Sequence, residues 1–86
     1  MRYKEKFSPK FKRQYKRLKS RNPRQAEVVM FLVDDALEHP TTGLGHPERL
    51  KHRGGKEYSR EIDKKNRLVY KILSDNSVLF DSYDDH

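Results

Sequence analysis

The apolar residues in the first half of the chain recur at helical spacing. In the stretch SPKFKRQYKRLKS, Phe11, Tyr15 and Leu18 are separated by four and three residues, which places them on one side of a helix. Ser8 suits the N-cap and Pro9 the first helical position. The pattern therefore predicts a helix with one apolar stripe and a cationic remainder.

A second helix is predicted directly after the first. Asn22 can cap it, Gln25 stands where the side chain of a capping box reaches back, and Pro40 ends it. One face collects the apolar residues Ala26, Val29, Met30, Val33 and Leu37. The short connection between the two segments predicts a helical hairpin.

The remaining segments alternate between apolar and polar residues, as strands do. RYKEKF precedes the helices and suits an edge strand guarded by lysines. Beyond the Gly- and Pro-rich loop PTTGLGHP come ERLKH, EYSREI, RLVYKIL and VLFDSY, and the links DKKN and SDNS are short enough for hairpins. We expect one α+β domain over residues 1–86, in the order β-α-α-β-β-β-β, with the helical hairpin on one face of a mainly antiparallel twisted sheet.

Charge is unevenly distributed along the 86 residues. The net charge is +7, and residues 1–24 hold eleven lysines and arginines against the single acid Glu5. This balance favours a polyanionic partner: RNA, DNA, an anionic membrane or an acidic protein segment. A solvated face that keeps the protein soluble is the alternative. No segment is long and apolar enough for a membrane span, so we expect a cytosolic protein.

Two arginines of the DKKN hairpin are predicted to lie side by side. If Ile62 pairs near Lys65, Arg60 lies opposite Arg67, and two adjacent cations call for an anion such as phosphate. Salt bridges to Glu61 or Asp81 would explain the pair equally well.

With Glu48 and His86, these arginines would supply a base, anion clamps and an acid on the sheet. This set can cleave RNA without metal: the base deprotonates the 2′-hydroxyl, a guanidinium stabilises the phosphate, and the acid protonates the departing 5′-oxygen. Alternatively, Glu48 is a solvated surface carboxylate and His86 a merely exposed side chain. The histidines lack the spacing of a zinc site, and no metal or cofactor is expected.

The segments PTTGLGHPERLKH and YSREIDKKNRLVYKI resemble the Txe/YoeB branch of the RelE-type toxins, small ribonucleases encoded with an antitoxin in bacteria. The resemblance implies roles for five residues at matching positions. They are the general base Glu48, the phosphate ligand Lys51, the strand arginine Arg60, the phosphate-stabilising Arg67 and the general acid His86.

The resemblance also implies the partners. They are mRNA on the ribosome and a cognate antitoxin of the YefM or Axe type. Operator DNA would be bound only by the toxin-antitoxin complex. No membrane is expected as a partner, and the family resemblance allows a homodimer. Further cations would then contact RNA backbone, namely Arg49 beside the base and Lys10, Lys12, Arg13 and Lys16 on the first helix. The tail departs from the pattern, because Asp84 stands where a cation is expected and Asp85 follows it.

Two rival functions stay open. A non-catalytic basic module would bind RNA or DNA, and replacement of Glu48 would then change little. A toxin on the same scaffold could instead inhibit an essential enzyme such as a topoisomerase, leaving RNA intact in poisoned cells.

Overall fold

The part of the chain that the structure describes forms two helices and five strands, in the predicted order. The computed structural model describes residues 2–50 and 56–85, the last two by their backbone alone. The elements are β1 (Lys4–Phe7), α1 (Pro9–Arg21), α2 (Pro23–Glu38), β2 (Glu48–Arg49), β3 (Glu57–Glu61), β4 (Asn66–Ile72) and β5 (Ser77–Asp85).

Both helices begin at the predicted caps. The Ser8 hydroxyl accepts a hydrogen bond from the Phe11 amide at 2.9 Å, and the Asn22 side chain accepts one from the Gln25 amide at 3.2 Å. The predicted capping box is only half formed, because the Gln25 side chain donates to Asp63 and accepts from the Tyr83 hydroxyl instead. Gln25 therefore ties α2 to the sheet rather than closing its own helix end.

The five strands form one sheet in the order β1-β5-β4-β3-β2. β1 lies at an edge, as predicted, and pairs parallel with β5, whereas the other three pairings are antiparallel. The prediction of a mainly antiparallel sheet is confirmed, and the single parallel pair arises because α1 and α2 carry the chain across before β5 returns beside β1. A β-bulge interrupts the β4–β5 ladder between Val69 and Tyr70.

The helices bury one face of this sheet. Phe11 and Leu18 of α1 are buried as the spacing predicted, and Tyr15 is half-buried at the margin. The core that the helices share with the sheet consists of Phe11, Leu18, Ala26, Val29, Leu32, Val33, Ala36, Leu37, Leu68, Tyr70, Val78 and Phe80. Within residues 2–50 and 56–85, neither helix combines the length and the apolar character needed to cross a lipid bilayer.

Candidate functional site

The β3–β4 register decides which arginine reaches the sheet face turned away from the helices. Arg60 is the Cα partner of Leu68, and Glu61 is the partner of Arg67. The expectation that Arg60 lies opposite Arg67 is therefore wrong by one residue. A shift of one residue reverses the facing of a strand, so the two arginines lie on opposite faces.

Arg67 is held on this outer face by protein oxygens. Its Nε donates to the Ser59 hydroxyl at 2.8 Å, and Nη2 donates to the carbonyls of Ser59 at 3.2 Å and His46 at 3.3 Å. Ser59 is 1% exposed, so this anchor is screened from water. The contacts fix one edge of the guanidinium and leave its side chain 19% exposed.

Glu48 lies beside Arg67 at the start of the short strand β2. Its backbone pairs with Ser59, and its Oε2 lies 3.7 Å from Arg67 Nη2. The Glu48 side chain is 73% exposed, so this ion pair adds little to stability. The pair instead brings an accessible carboxylate close to an anchored guanidinium at one point of the surface.

A second carboxylate approaches Arg67 from the neighbouring strand. Glu61 Oε1 lies 3.9 Å from Arg67 Nη1, and the Glu61 side chain is 50% exposed. On the other side, the Cα partner of Arg67 in β5 is Asp84. The salt bridge to Glu61 that the sequence left open as an alternative is thus present, and it involves Arg67.

Arg60 lies in the interior, where it is 0% exposed. Its Nε donates to the Tyr70 hydroxyl at 3.0 Å, and its Nη1 donates to Asp35 Oδ2 at 2.5 Å. The remaining bonds run from Nη1 and Nη2 to three backbone carbonyls of the loop after α2, those of Leu44, His39 and Thr42. The expectation that Arg60 binds phosphate is corrected, because every nitrogen of its guanidinium already donates to the protein.

Arg60 instead fixes the loop that leads to Glu48. Burial of Asp35 opposes its ionisation, but the hydrogen bonds from the Leu44 amide and Arg60 prevail and hold the pKa of this carboxyl below its usual value. The Tyr70 hydroxyl adds a bond to the Pro40 carbonyl at 2.6 Å. Helix α2, the loop and the sheet are therefore joined through one buried cation.

The other predicted RNA ligands are spread over the molecule. Arg49 follows Glu48 in β2 and is exposed. Lys51 and His86 lie outside the described residues. The α1 cations are exposed on the helix layer, away from the face that carries Arg67: Lys10, Lys12, Arg13 and Lys16. The structure therefore brings Glu48 and Arg67 together and separates both from the α1 cations.

One residue of this site, Ser59, was missed in the sequence, although its hydroxyl anchors Arg67. Glu61 was predicted only as an alternative salt-bridge partner of the two arginines, and the structure places it beside Arg67. The alternation of the strand carried the signal, since Ser59 and Glu61 share one face of β3 and Arg60 occupies the other. The correct register was needed to interpret it.

Comparisons with known proteins agree with this architecture. A sequence model of the YoeB-like toxins of bacterial type II toxin-antitoxin systems matches residues 7–86. "Toxin YoeB" of Escherichia coli (strain K12) is 38% identical over 48 residues, which are 56% of this chain and 57% of that relative. The chain thus matches little more than half the length of this curated relative.

Solved structures match over the whole fold. The YoeB dimer from Staphylococcus aureus has a TM-score of 0.88 and 29% identity, covering 100% of this chain and 99% of that one. The YoeB-YefM complex from the same organism has a TM-score of 0.85 and 29% identity, with the same coverage. The chain belongs to the YoeB-like toxins of bacterial type II toxin-antitoxin systems.

Proposed function

We propose that the protein is a metal-independent endoribonuclease that cleaves mRNA on the ribosome. The observation that carries the proposal is the 3.7 Å approach of Glu48 Oε2 to Arg67 Nη2 on the sheet face opposite the helices. A base and a phosphate-binding cation at this separation can contact adjacent groups of one ribonucleotide. Membership in the YoeB-like toxins supports the same reaction class.

The reaction needs two proton transfers and one charge stabilisation. Glu48 removes the proton from the 2′-hydroxyl, whose oxygen attacks the adjacent phosphorus while Arg67 stabilises the charge that develops on the phosphoryl oxygens. His86 donates a proton to the departing 5′-oxygen, and Lys51 assists at the phosphate. The products are a 2′,3′-cyclic phosphate and a 5′-hydroxyl, and DNA is spared because it lacks the attacking group.

The cations of α1 serve association rather than chemistry in this proposal. They are exposed on the helix layer, so they can contact ribosomal RNA backbone while the opposite face of the sheet holds the message. Arg49, which follows Glu48 and is exposed, can extend the contact with RNA. The site of action would be the cytoplasm, where messages are translated.

We propose a cognate antitoxin of the YefM type as the inhibiting partner. The related toxin from Staphylococcus aureus was solved in complex with YefM, and another structure is titled a YoeB dimer. An acidic or amphipathic antitoxin segment would complement the cationic half of this chain. Operator DNA would be bound by the complex alone, and a homodimer is compatible with the fold.

The test is cleavage of a defined mRNA by purified protein on translating ribosomes. We expect cuts that leave 2′,3′-cyclic phosphate ends, and a loss of about a hundredfold or more for Glu48→Gln and for His86→Gln, as for removal of a general base or acid. Lys64→Gln, an exposed change in the β3–β4 turn, is the matched control and should cleave normally. Intact mRNA with ribosome binding retained would favour the non-catalytic basic module instead.

A further inference from the structure

Among the side chains that the structure describes, two carboxylates flank Arg67, and the proposed chemistry uses only one of them. Glu48 has a role as the base. Glu61 approaches the other terminal nitrogen, Nη1, at 3.9 Å and has no role in either proton transfer. A negative charge beside a phosphate-binding cation opposes the binding of phosphate, so its presence calls for an explanation.

Backbone register fixes this proximity. Glu61 and Arg67 are direct Cα partners in the antiparallel β3–β4 pair, and such partners keep their Cβ atoms roughly 5 Å apart whatever rotamers they adopt. The Arg67 guanidinium cannot retreat, because the Ser59 hydroxyl and the carbonyls of Ser59 and His46 hold its opposite edge. Glu61 can turn away, since half of its side chain is exposed.

We propose that Glu61 is a competing anion that sets the affinity of Arg67 for the substrate phosphate. Without RNA, the Glu61 carboxylate partly neutralises the Arg67 charge at Nη1. When RNA binds, a phosphoryl oxygen takes the place beside Nη1 and Glu61 rotates into solvent. Glu61 is thereby a determinant of substrate affinity, and this role rests on the proposed binding of RNA phosphate by Arg67.

The removal of this charge should strengthen the binding of phosphate at Arg67. For Glu61→Gln we expect the Kd of a 2′-O-methyl oligoribonucleotide, which cannot be cleaved, to fall by about three- to tenfold at low salt, the size of one screened charge at ~4 Å. Glu57→Gln is the matched control: the residue lies on the same strand and the same face, and its Cα partner is Lys71. Its Kd should change by less than about twofold, because Glu57 lies four residues along the strand from Glu61, roughly 13 Å away, where its Coulomb effect on a phosphate at Arg67 is weak.

A double-mutant cycle separates direct competition from a change in net charge. If Glu61 acts through Arg67, the gain from Glu61→Gln disappears in an Arg67→Gln background. The parent and Glu61→Gln, which both keep Arg67, are also titrated with inorganic phosphate and followed at the Arg67 Nε–H resonance by NMR, which reports on the cation even where oligonucleotide binding is weak. In this titration too, Glu61→Gln should bind phosphate more tightly than the parent.

Three results would overturn the role of Glu61. Equal effects of Glu61→Gln and Glu57→Gln would mean that net charge alone matters. Weaker phosphate binding by Glu61→Gln would mean that Glu61 orients Arg67. A fall in cleavage of more than a hundredfold with unchanged binding would make Glu61 the base. Failure of the nuclease proposal is distinguished from all three. It would show as mRNA left uncut by the wild-type protein, whereas these titrations require no cleavage.

Discussion

A guanidinium group can serve a ligand only through donors that the protein does not already use. Arg60 and Arg67 sit on adjacent strands of one hairpin and differ in this respect. Every nitrogen of Arg60 donates to Tyr70, Asp35 or a loop carbonyl, and the side chain is 0% exposed. Arg67 is held along one edge and presents the other to the surface. The first is a structural residue, and the second is suited to an anion.

The role of Arg60 predicts a large decrease in stability when its geometry is changed. Arg60→Lys keeps the charge but cannot reach Asp35 on α2, three loop carbonyls and Tyr70 at once, so several of these buried or partly buried acceptors lose their donor. We expect the free energy of unfolding in urea to fall by about 2–4 kcal/mol.

Arg17→Lys, at an exposed position of α1, is the control for this substitution and should stay within about 0.5 kcal/mol of the parent. A similarly small effect of Arg60→Lys would show that the loop is held by other contacts. In that case the assignment of Arg60 as its anchor would fail.

At the scale of elements, the turn between β4 and β5 also fixes the edge strand. Asp75 accepts hydrogen bonds from the Ser77 hydroxyl and from Lys6 Nζ of β1, the latter at 2.9 Å. These bonds lower the pKa of Asp75 to about 2. The Lys4 amide bonds to the Asn76 carbonyl at 2.9 Å, so the turn, β1 and β5 meet at one corner.

This lowered pKa predicts a pH-dependent contribution to stability. Because the folded pKa of Asp75 lies below the unfolded value near 3.9, protonation favours the unfolded chain, and the stabilisation is present above that value and lost as pH falls through about 2. The stability difference between the parent and Asp75→Asn should therefore be constant above about pH 5 and should vanish between about pH 4 and pH 2.

Chemical denaturation at a series of pH values measures this difference directly. Other carboxylates titrate in both proteins and largely cancel when the two are compared. Asp81→Asn, which removes an exposed acid on β5, is the control for the loss of one surface carboxylate. A difference for Asp75→Asn that persists unchanged to pH 2 would contradict the role of its charge.

Elements were predictable from local patterns, whereas their register was not. Ser8 and Asn22 predicted where the two helices begin. This was possible because an N-cap and an apolar stripe both depend on residues close together in the sequence. The β3–β4 pairing depends on the turn, where the Asp63 side chain accepts from the amides of Lys65 and Asn66 at 2.8 Å each. That contact places Arg67 opposite Glu61. The register inferred from sequence spacing was wrong by one residue, and it therefore placed Arg60 and Arg67 on the same face of the sheet.

Long-range partners were also beyond the reach of sequence patterns. Gln25 was assigned to its own helix cap, but its amide bonds to Asp63 in a hairpin 38 residues away. Glu48 was predicted to be a base from its motif, and its contact with Arg67 exists only once β2 pairs with β3. Sequence motifs therefore indicated candidate residues, whereas the pairing of the strands determined which of these residues are in contact.

At the scale of the whole molecule, charge and chemistry occupy different layers. The α1 cations are exposed on the helix layer, and Glu48 and Arg67 lie on the opposite face of the sheet. If α1 binds ribosomal RNA, Lys12→Glu with Lys16→Glu should weaken ribosome association. The slope of log K against log salt should become shallower by about 0.7–0.9 for each phosphate that the variant no longer neutralises.

If the protein cleaves mRNA as proposed, cleavage at saturating concentrations of this double variant should stay close to that of the parent, since neither residue lies on the face that carries Glu48 and Arg67. Lys64→Glu, a single charge reversal in the exposed β3–β4 turn, controls for the general effect of charge. Ribosome binding measured by co-sedimentation at several salt concentrations gives the slopes. An unchanged slope would remove α1 from the binding surface.

The position of β5 has a consequence for the synthesis of the protein. β5 is the last of the five strands along the chain, yet it lies inside the sheet between β1 and β4 and supplies Val78 and Phe80, both 0% exposed, to the core. A nascent polypeptide that has reached only Asn76 has no strand for β1 to join and lacks the part of the helix-covering core that β5 supplies. Completion of the sheet must therefore wait until Ser77–Asp85 have emerged, so the chain gains its full fold only after the part of the message that encodes this strand has been read.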